Sequence, residues 1–420
     1  MNIALHAAKC STFACLAAAP LAQDALHADI AHALDAARPA LLAHLKEASS
    51  DVRPFGELAL LLLAASHDGV DPANDTFAAA VQRLATATPS QTYDVALRLL
   101  VMEATPTFPH RLEIARRDAA QLLRYRSGGG FSYNDGSGWD LSNTQYGALG
   151  LRAAKGLGVA IDKSVWSKLA NAVGGAQGSY GGFGYEDYGG GDSAYASMTV
   201  AGIAVLAICA QAIGGEKVQA DMSRHIERGW RWLEKNAKAI GSPTESWSFY
   251  FHYGLERAAI LCDKEKVGTT DWYETGARMF LASQLSGGGW MSASDGYPGT
   301  QLDRGRGHGV PTAFAVLFLR RKFQKELGPI TPHVVLLVNV GPMSKQKDVD
   351  ECTDELVRRG KEAVPDVLKA LRSDVAPRRR AAAAALAKIA GDGFGIDPAL
   401  EPDANAEALR RAELWHLRNR

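Results

Sequence analysis

Strongly apolar helical segments recur between residues 54 and 322, each after a turn or a loop. A helix that is apolar on most of its surface has to be surrounded by protein, because water would otherwise contact its hydrophobic faces. The sequence predicts six such helices, at residues 54–65, 92–103, 143–158, 195–213, 249–262 and 311–322.

Amphipathic segments alternate with these apolar helices. A helix with one polar face can contact water on that side, so these segments belong on the outside of the fold. Two concentric rings satisfy both demands, and the sequence therefore predicts an all-α fold, an α6/α6 toroid, with a small helical-repeat C-terminal extension. The amphipathic helices are predicted at residues 30–47, 76–87, 111–126, 164–177, 223–239 and 272–284.

Glycine-rich loops that end in an aromatic residue occur three times, at Phe131, Phe183 and Trp290. Glycine permits a sharp reversal of the chain, and the aromatic ring then fills the gap between neighbouring helix ends. Gln177 and Gln284 precede two of these loops, where a side-chain amide could bond free backbone groups at an adjacent helix end. We expect each glutamine to join one helical repeat to the next.

These loops carry a resemblance to a known family. The segment 284–290, Gln177 with residues 181–184, and the run 142–151 resemble the glutamine-tryptophan repeats of squalene/hopene cyclases and prenyltransferase β subunits. The resemblance covers roughly residues 30–322 and implies the α/α toroid of the terpenoid cyclase and protein prenyltransferase superfamily, with its prenyltransferase and squalene oxidase repeats. Gln284 departs from the pattern because it lies one residue further from its tryptophan than the repeat usually allows.

The motifs that give this family its chemistry are not recognised in the predicted toroid. The Asp-x-Asp-Asp string of the class II cyclases is absent. The prenyltransferases use a zinc site with an Asp-x-Cys pair, and neither Cys209 nor Cys262 follows an aspartate at that spacing. We therefore expect no metal and no cofactor, and the resemblance implies a fold rather than an activity.

Polar residues gather in the loops before the predicted inner helices. Parallel inner helices would place these loops at one rim of the barrel, where Asp140 and Asp192 fit helix caps. The alternative is an acid or ligand site, for which a cluster of Asp303, Arg306 and His308 is preferred because three kinds of ionisable group precede one helix. The candidate catalytic residues are Asp303, His308 and Asp192, and the candidate binding residues are Asp140, Glu186, Asp187, Arg306, Tyr250 and His252.

An aromatic cluster opens the fifth predicted inner helix, at residues 247–253. Rings such as Tyr250 could stabilise a cation or stack on a sugar face, although packing in the core is the alternative role. His252 has no second metal ligand four residues further along, which favours a structural histidine over a ligand.

Composition and charge limit the partners. Lysine plus arginine and aspartate plus glutamate both number 46, so no net field draws the chain to nucleic acid. The apolar run 198–213 is shorter than the roughly 18 to 20 residues of a membrane span, and we predict a buried helix there. Residues 1–22 resemble an export signal, which predicts a periplasmic or extracellular protein; a cytoplasmic protein with a ragged N-terminus is the alternative.

Beyond the predicted toroid at residues 28–325, we expect a linker at 326–347 and a HEAT-like helical tail at 348–420. The run 334–340 is strand-like, and short helices are predicted at 351–359, 363–371 and 378–390. The tail should dock on the barrel or offer Arg378, Arg379 and Arg380 to a protein partner; a solvated basic helix start is the alternative.

The sequence favours a squalene-cyclase-like toroid that binds a hydrophobic or carbohydrate ligand, or a partner, in its central cavity. Two enzymatic alternatives stay open. One is a glycan hydrolase or lyase on an α6/α6 barrel, which would need carboxyl pairs about 5 Å or about 6.5 to 9.5 Å apart. The other is an isoprenoid cyclase or transferase with a non-standard acid.

Overall fold

The computed structural model describes residues 11–419 apart from internal gaps, two of which are 186–192 and 293–306. The other undescribed positions are 51–53, 106, 137, 215, 244–245, 321–336, 338–339, 341–343, 345, 374 and 401, together with the two chain ends.

Helices of two kinds alternate along the chain up to Arg320, as the hydrophobic pattern predicts. The amphipathic helices are α1 (Ser11–Ala48), α3 (Asp75–Thr86), α5 (Arg111–Arg124), α7 (Lys163–Gly175), α9 (Glu216–Lys235) and α11 (Trp272–Ser283). The apolar helices are α2 (Phe55–Asp68), α4 (Thr92–Ala104), α6 (Leu141–Gly156), α8 (Ala196–Ile213), α10 (Ser248–Leu261) and α12 (Gly309–Arg320).

The apolar helices form a closed inner ring. Each of them contacts the next one along the chain, and α12 packs against α2, so the ring has no open edge. The amphipathic helices pack outside it, and α1 contacts both α11 and α12 as well as α2 and α3. The fold is therefore an all-α toroid of two concentric rings, and its core lies between and within the rings.

Helix α8 shows how strongly the inner ring is enclosed. All residues from Ser197 to Cys209 are buried, because neighbours surround the helix on every side. Among the described residues, α8 alone is long and apolar enough to pass as a membrane-crossing helix, and most of it is buried inside the barrel. Its apolar surface is explained by the protein core.

The three glycine-aromatic loops share one local structure. The backbone amide of each aromatic residue donates to a threonine in the first turn of the following inner helix, which fixes the loop against that helix. The pairs are Phe131 to Thr144 Oγ1 at 2.9 Å, Phe183 to Thr199 Oγ1 at 3.1 Å, and Trp290 to Thr312 Oγ1 at 3.1 Å.

Glycines on the inner helices make room for two of these rings. A Cβ atom added at Gly147 would lie 2.5 Å from the Phe131 ring, and one added at Gly202 would lie 2.8 Å from the Phe183 ring. Such distances are too short for a side chain, so these glycines allow the aromatic residue to pack directly on helix backbone. The loops are thus wedges between helix ends, as the sequence predicts.

The two loop glutamines join repeats, and this prediction is confirmed. Gln177 Nε2 donates to its own loop at Gly181 O and to the outer helix α9 at His225 O, both at 2.8 Å. Gln284 Nε2 does the same with Gly288 O at 2.7 Å and with Ala33 O of α1 at 2.8 Å. Gln284 therefore ties the last outer helix to the first.

Among the described residues, four strands of two residues each form two antiparallel hairpins. β1 (Arg126–Ser127) pairs with β2 (Gly130–Phe131), with Arg126 opposite Phe131. β3 (Lys266–Val267) pairs with β4 (Thr270–Asp271), with Lys266 opposite Asp271. They belong to loops that connect helices and leave the all-α character of the fold unchanged.

The C-terminal tail has a hydrophobic core of its own. It contains α13 (Gln346–Arg359), α14 (Val364–Ala370), α15 (Ala376–Ala390) and an additional helix α16 (Ala406–Arg418) that the sequence pattern did not predict. Leu337 and Val340 are buried in this core. The rest of the strand-like run 334–340, and most of the predicted linker, lie outside the described residues.

The basic start of α15 is structural, which corrects both sequence-based interpretations for two of its three arginines. Arg378 and Arg379 are 6% and 2% exposed, so neither is offered to a partner or to water. Arg378 Nε donates to Leu337 O at 2.7 Å, and Arg379 Nη1 donates to Ser373 O at 2.7 Å. Only Arg380 of the three is exposed.

The first helix begins earlier than predicted. Helix α1 runs from Ser11 to Ala48, whereas the periodicity predicts a start at residue 30, and it crosses Ala22 without interruption. Its hydrophobic residues pack into the core from Leu26 onwards. Cleavage of residues 1–22 as an export signal stays a prediction.

Candidate ligand-binding site

The N-terminal ends of the inner helices surround a cavity of about 480 Å³. This volume lies within the range of about 300 to 1,000 Å³ that is typical of small-molecule sites. The expectation that parallel inner helices bring their first turns to one rim is met, since each of the six contributes to the wall. The contributing residues include Gly56, Tyr93, Ser142, Ser197, Tyr250 and Val310.

Aromatic residues make up half of those that line the cavity. The ring centroids of Tyr93 and Tyr146 are 4.3 Å apart, and Tyr146 stacks on Tyr250 at 6.3 Å with 14° between the ring planes. Phe314 meets Tyr250 edge to face at 6.2 Å. Rings in mutual contact hold each other in place, so the wall is a rigid surface that suits an apolar or flat ligand.

Trp247 stands at the mouth in a strained backbone conformation. Its φ is 59° and its ψ 34°, the left-handed region that bulky residues rarely adopt, and the residue is 50% exposed. The conformation costs about 1 to 2 kcal/mol, and strain of this kind concentrates at ligand-binding positions. The local geometry thus keeps an indole ring at the entrance of the cavity.

Asp140 is buried behind the wall and holds the start of α6. Its Oδ1 accepts from the Asn143 amide at 2.9 Å and from Ser142 Oγ at 2.6 Å, and its Oδ2 accepts from Asn143 Nδ2 at 2.7 Å. The predicted role as a helix cap is therefore observed. Asp140 does not line the cavity, but Ser142 does. The hydroxyl group of Ser142 therefore lies between the Asp140 carboxylate and the cavity.

A row of hydroxyl groups extends from Ser142 along the wall. We call Ser142, Tyr93, Tyr185 and Tyr250 the hydroxyl row. The hydroxyl oxygens of Ser142 and Tyr185 are 3.5 Å apart, and Tyr93 is near enough to interact with Ser142. Tyr250 interacts with Tyr93 and donates to Gln145 Oε1 at 2.9 Å. The hydroxyl row thus adds polar groups from several inner helices to a mostly apolar cavity.

The phenols of this row are neutral at physiological pH. Burial raises the pKa of Tyr93 and of Tyr250 well above the ordinary value, and the nearby Asp140 charge raises both further. Burial also raises the pKa of Tyr185. Each tyrosine therefore keeps its proton, and the site offers hydroxyl groups rather than phenolate anions.

Several candidate residues from the sequence lie outside the described residues, so their place relative to the cavity is not given. These are Glu186, Asp187, Asp192, Asp303 and Arg306.

His308, the described member of the preferred cluster, is half-buried just before α12. Its amide donates to Trp290 O at 2.8 Å, and its two ring nitrogens are buried and have no hydrogen-bond partner among the described residues. It does not line the cavity, although Val310 two residues later does.

His252 lies on the far side of α10, away from the cavity, although the sequence placed it among the binding candidates. Its Nδ1 donates to Ser248 O at 2.7 Å, and its Nε2 accepts from the Gly241 amide at 3.1 Å. Phe280 and Phe318 pack against the ring, and burial lowers the pKa of His252 to about 4. The arrangement is that of a neutral structural histidine, the other interpretation that the sequence left open.

The sequence identified Tyr250 of the wall but not Tyr93 and Tyr146, nor Gln145, which accepts a hydrogen bond from Tyr250. A usable signal was present, because each of these residues stands in the first two turns of an apolar inner helix. Burial of a polar side chain between apolar helices is unfavourable unless it is hydrogen-bonded, so such a residue is expected to face a cavity or a polar partner. Tyr93, Gln145 and Tyr146 share with Tyr250 a position near the start of an inner helix, and this shared position could have identified them as candidates.

The described residues contain no group of three histidine, cysteine, aspartate or glutamate side chains that could hold a metal ion. Asp350 and Cys352 do carry the Asp-x-Cys spacing of the prenyltransferase zinc ligands, but they lie on α13 in the tail. Cys352 is buried, which raises its pKa to about 11 and keeps it a thiol. This string is therefore no sign of a zinc site in the toroid.

No family model and no curated protein matches the sequence. Among solved structures the chain is similar to the type II terpene cyclase MstE from Scytonema in its apo form, with a TM-score of 0.42 and 15% identity over 70% of this chain and 98% of that chain. A variant of that cyclase in complex with geranylgeranyl dihydroxybenzoate gives a TM-score of 0.44 and 13% identity over the same shares of the two chains. Both similarities concern the fold alone.

Proposed function

We propose that this toroid binds an apolar small molecule in the cavity at the N-terminal ends of its inner helices. The observation that carries the proposal is a cavity of about 480 Å³ whose wall is built mainly from tyrosine, phenylalanine, leucine, methionine and valine side chains. Transfer of an apolar body from water to such a wall is favourable, by about 25 cal/mol for each Å² of apolar surface buried.

The wall also accounts for selectivity. Most of it is apolar, and the hydroxyl row adds a few polar groups. Small-molecule sites generally combine an apolar lining with a few placed polar groups that fix the ligand's orientation. A mostly apolar ligand with a few polar groups fits this lining best.

The two enzymatic alternatives need an ionisable acid beside the ligand. Among the described residues that line the cavity there is no aspartate, glutamate, histidine, lysine or arginine. A glycan hydrolase requires a carboxyl pair and an isoprenoid cyclase a strong acid, so the described lining favours binding. Turnover of squalene, of a polyprenyl diphosphate or of an oligosaccharide by the purified protein would instead support one of the alternatives.

Binding can be measured with N-phenylnaphthylamine, a neutral apolar dye whose fluorescence rises when it leaves water. We expect saturable binding to the full-length protein. The variant Leu97→Trp places a bulky indole in the wall of the cavity and should weaken dye binding by about tenfold or more.

Leu414→Trp is the matched control, because Leu414 is exposed on α16, outside the toroid. This variant should bind the dye as tightly as the unchanged protein does. Equal affinity of the Leu97→Trp variant and the unchanged protein would place the dye elsewhere and contradict the proposal. Circular dichroism of each variant verifies that the helices are intact.

A further inference from the structure

Packing holds the ring of Tyr93 in the cavity wall. Tyr93 is the second residue of α4, and it lines the cavity as a half-buried side chain. Its ring centroid lies 4.3 Å from that of Tyr146 and 6.3 Å from that of Tyr133. Rings in contact restrict each other's movement, so neighbouring rings fix where the Tyr93 hydroxyl group lies, without the help of a hydrogen bond.

Tyr93 is the one member of the hydroxyl row whose hydroxyl group has no hydrogen bond to a described residue. Ser142 and Tyr250 are near enough to interact with it, but neither lies in hydrogen-bond geometry with it. The Tyr93 oxygen is accessible rather than enclosed by protein, so it has a proton and lone pairs for a ligand. The other three members do have partners: Ser142 bonds to Asp140 Oδ1 at 2.6 Å, Tyr185 to the Tyr133 hydroxyl at 3.0 Å, and Tyr250 to Gln145 Oε1 at 2.9 Å.

Donors and acceptors are mixed in the polar part of the lining. Burial raises the pKa of Tyr93, so its phenol keeps its proton and can donate as well as accept. The amide of Gln91 and the hydroxyl group of Ser197 also contain both kinds of atom. A hydroxyl group on the ligand likewise donates and accepts, whereas an ammonium group only donates and a carboxylate only accepts. A neutral hydroxyl group therefore matches this lining better than either charged group does.

The charges around the cavity give the same preference. Among the described residues that line it, no side chain carries a charge that would pair with a charged head group. Asp140 lies behind Ser142 and already accepts three hydrogen bonds, from Ser142 and Asn143, so it is not free to pair with an ammonium group. Transfer of an unpaired charge from water to an apolar site is unfavourable, so the ligand is expected to be neutral.

We propose that Tyr93 selects the ligand of this cavity, and that the ligand is a neutral alcohol or phenol whose hydroxyl group hydrogen-bonds to the Tyr93 hydroxyl group. The apolar body of the ligand lies along Tyr146 and Phe314. This inference rests on the proposed function and specifies the polar group of its ligand. A hydrogen bond between neutral groups contributes up to about tenfold in affinity, because both partners give up a bond to water when it forms.

Probes that share one apolar ring system and differ only in its substituent test the proposal. Naphthalene, 2-naphthol, 2-naphthoate and 2-naphthylmethylammonium would each be titrated against full-length protein loaded with N-phenylnaphthylamine, and displacement of the dye gives their affinities. We expect 2-naphthol to bind about tenfold more tightly than naphthalene, because it alone adds a neutral hydroxyl group. The two charged compounds should bind more weakly than naphthalene.

The variant Tyr93→Phe removes the hydroxyl group and keeps the ring that packs on Tyr146. The preference for 2-naphthol over naphthalene should fall about tenfold in this variant, while the affinity for naphthalene stays the same. A merely structural role of Tyr93 would change both affinities together. Tyr180→Phe is the matched control, because Tyr180 is 80% exposed and does not line the cavity, so this variant should keep the preference.

Tyr195→Phe tests whether the effect belongs to Tyr93 rather than to any tyrosine of the lining. Tyr195 also lines the cavity, but it is 39% exposed, so water competes for its hydroxyl group. The preference for 2-naphthol should fall less than about twofold in this variant. Circular dichroism of each variant verifies that the helices are intact.

The outcomes separate this inference from the proposed function. Equal affinities of 2-naphthol and naphthalene, or tightest binding of a charged compound, would overturn the inference and leave apolar binding in place. An unchanged preference in Tyr93→Phe, or an equally large loss in Tyr195→Phe, would overturn the selection by Tyr93. Failure of the dye and of all four compounds to bind the unchanged protein would remove the proposed function itself.

Discussion

Asp68 at the end of α2 accepts a hydrogen bond from Arg320 at the end of α12, with 2.7 Å between Oδ1 and Arg320 Nε. The other carboxylate oxygen of Asp68 lies 2.7 Å from Nε of Arg38 on α1. The side chain of Asp68 is 1% exposed, so this charge is held between two guanidinium groups where the first and last inner helices meet. The two ends of the ring are thereby joined.

Replacing Asp68 should weaken the contact between the first and last inner helices. Asp68→Asn keeps the shape of the side chain but removes its charge, leaving two half-buried arginines beside an amide that cannot neutralise them. We expect the free energy of unfolding to fall by about 2 kcal/mol, less than for a fully buried pair because both arginines are partly solvated. Urea unfolding followed by tryptophan fluorescence measures the change.

Asp221→Asn is the matched control for this variant. Asp221 pairs with Arg224 on the exposed face of α9, and such surface pairs contribute less than about 1 kcal/mol. Equal urea midpoints for the two variants would show that Asp68 is not a closing contact.

The last glycine-aromatic loop should tolerate no side chain at Gly288. A Cβ atom there would lie 1.9 Å from the backbone oxygen of Ala36 on α1, and the φ of Gly288 is 85°. Gly288→Ala has to displace either the loop or the outer helix, so we expect it to cost about 3 kcal/mol or more.

Gly69→Ala separates the steric effect from the backbone effect. Gly69 has a φ of 76° with nothing within 4 Å of an added Cβ atom, so it should cost only about 1 to 2 kcal/mol. Thermal unfolding of the two variants compares them. A Gly288→Ala variant as stable as Gly69→Ala would mean that the loop and α1 do not meet as described.

His252 should make the stability of the toroid depend on pH in one window. Burial lowers its pKa from 6.5 to about 4 in the folded protein, so the unfolded chain takes up a proton first as the pH falls. The stabilising contribution is complete above pH 6.5 and is lost progressively as the pH falls to about 4. Urea midpoints measured across this range should decline with acidification.

The variant His252→Gln tests the assignment, because glutamine does not titrate. We expect the part of the pH dependence between 6.5 and about 4 that is due to His252 to disappear in this variant. The same decline in the unchanged protein and in His252→Gln would assign the effect to carboxylates instead.

The alternation of apolar and amphipathic segments was enough to predict both rings, because burial on all sides or on one side leaves different patterns along a helix. The inner helix starting at Thr92, for example, was predicted at its observed first residue. The pattern did not predict α16, because a short amphipathic helix has weak periodicity. It also missed the early start of α1, because that segment is rich in alanine and its periodicity is weak as well. The burial of Arg378 was also missed, because its partner Leu337 is distant in sequence.

The candidate site was predicted less completely than the fold. Asp140 could be identified as a cap from its position before α6, since capping is a local interaction. The cavity, however, is formed by residues that meet only when the ring closes, and the pairing of Tyr250 with Gln145 spans 105 positions. The sequence favoured charged residues such as Asp303 as catalytic candidates, whereas the described wall contains neutral side chains, mainly hydroxyl groups and apolar or aromatic groups.

The central claim is that the closed inner ring creates one apolar binding cavity, and a crystal structure of the protein with N-phenylnaphthylamine tests it most directly. The account predicts dye density between Tyr93, Tyr146 and Phe314, within the first turns of the inner helices. Density for the dye on the tail or on the outer surface, with this cavity filled by protein side chains, would contradict it.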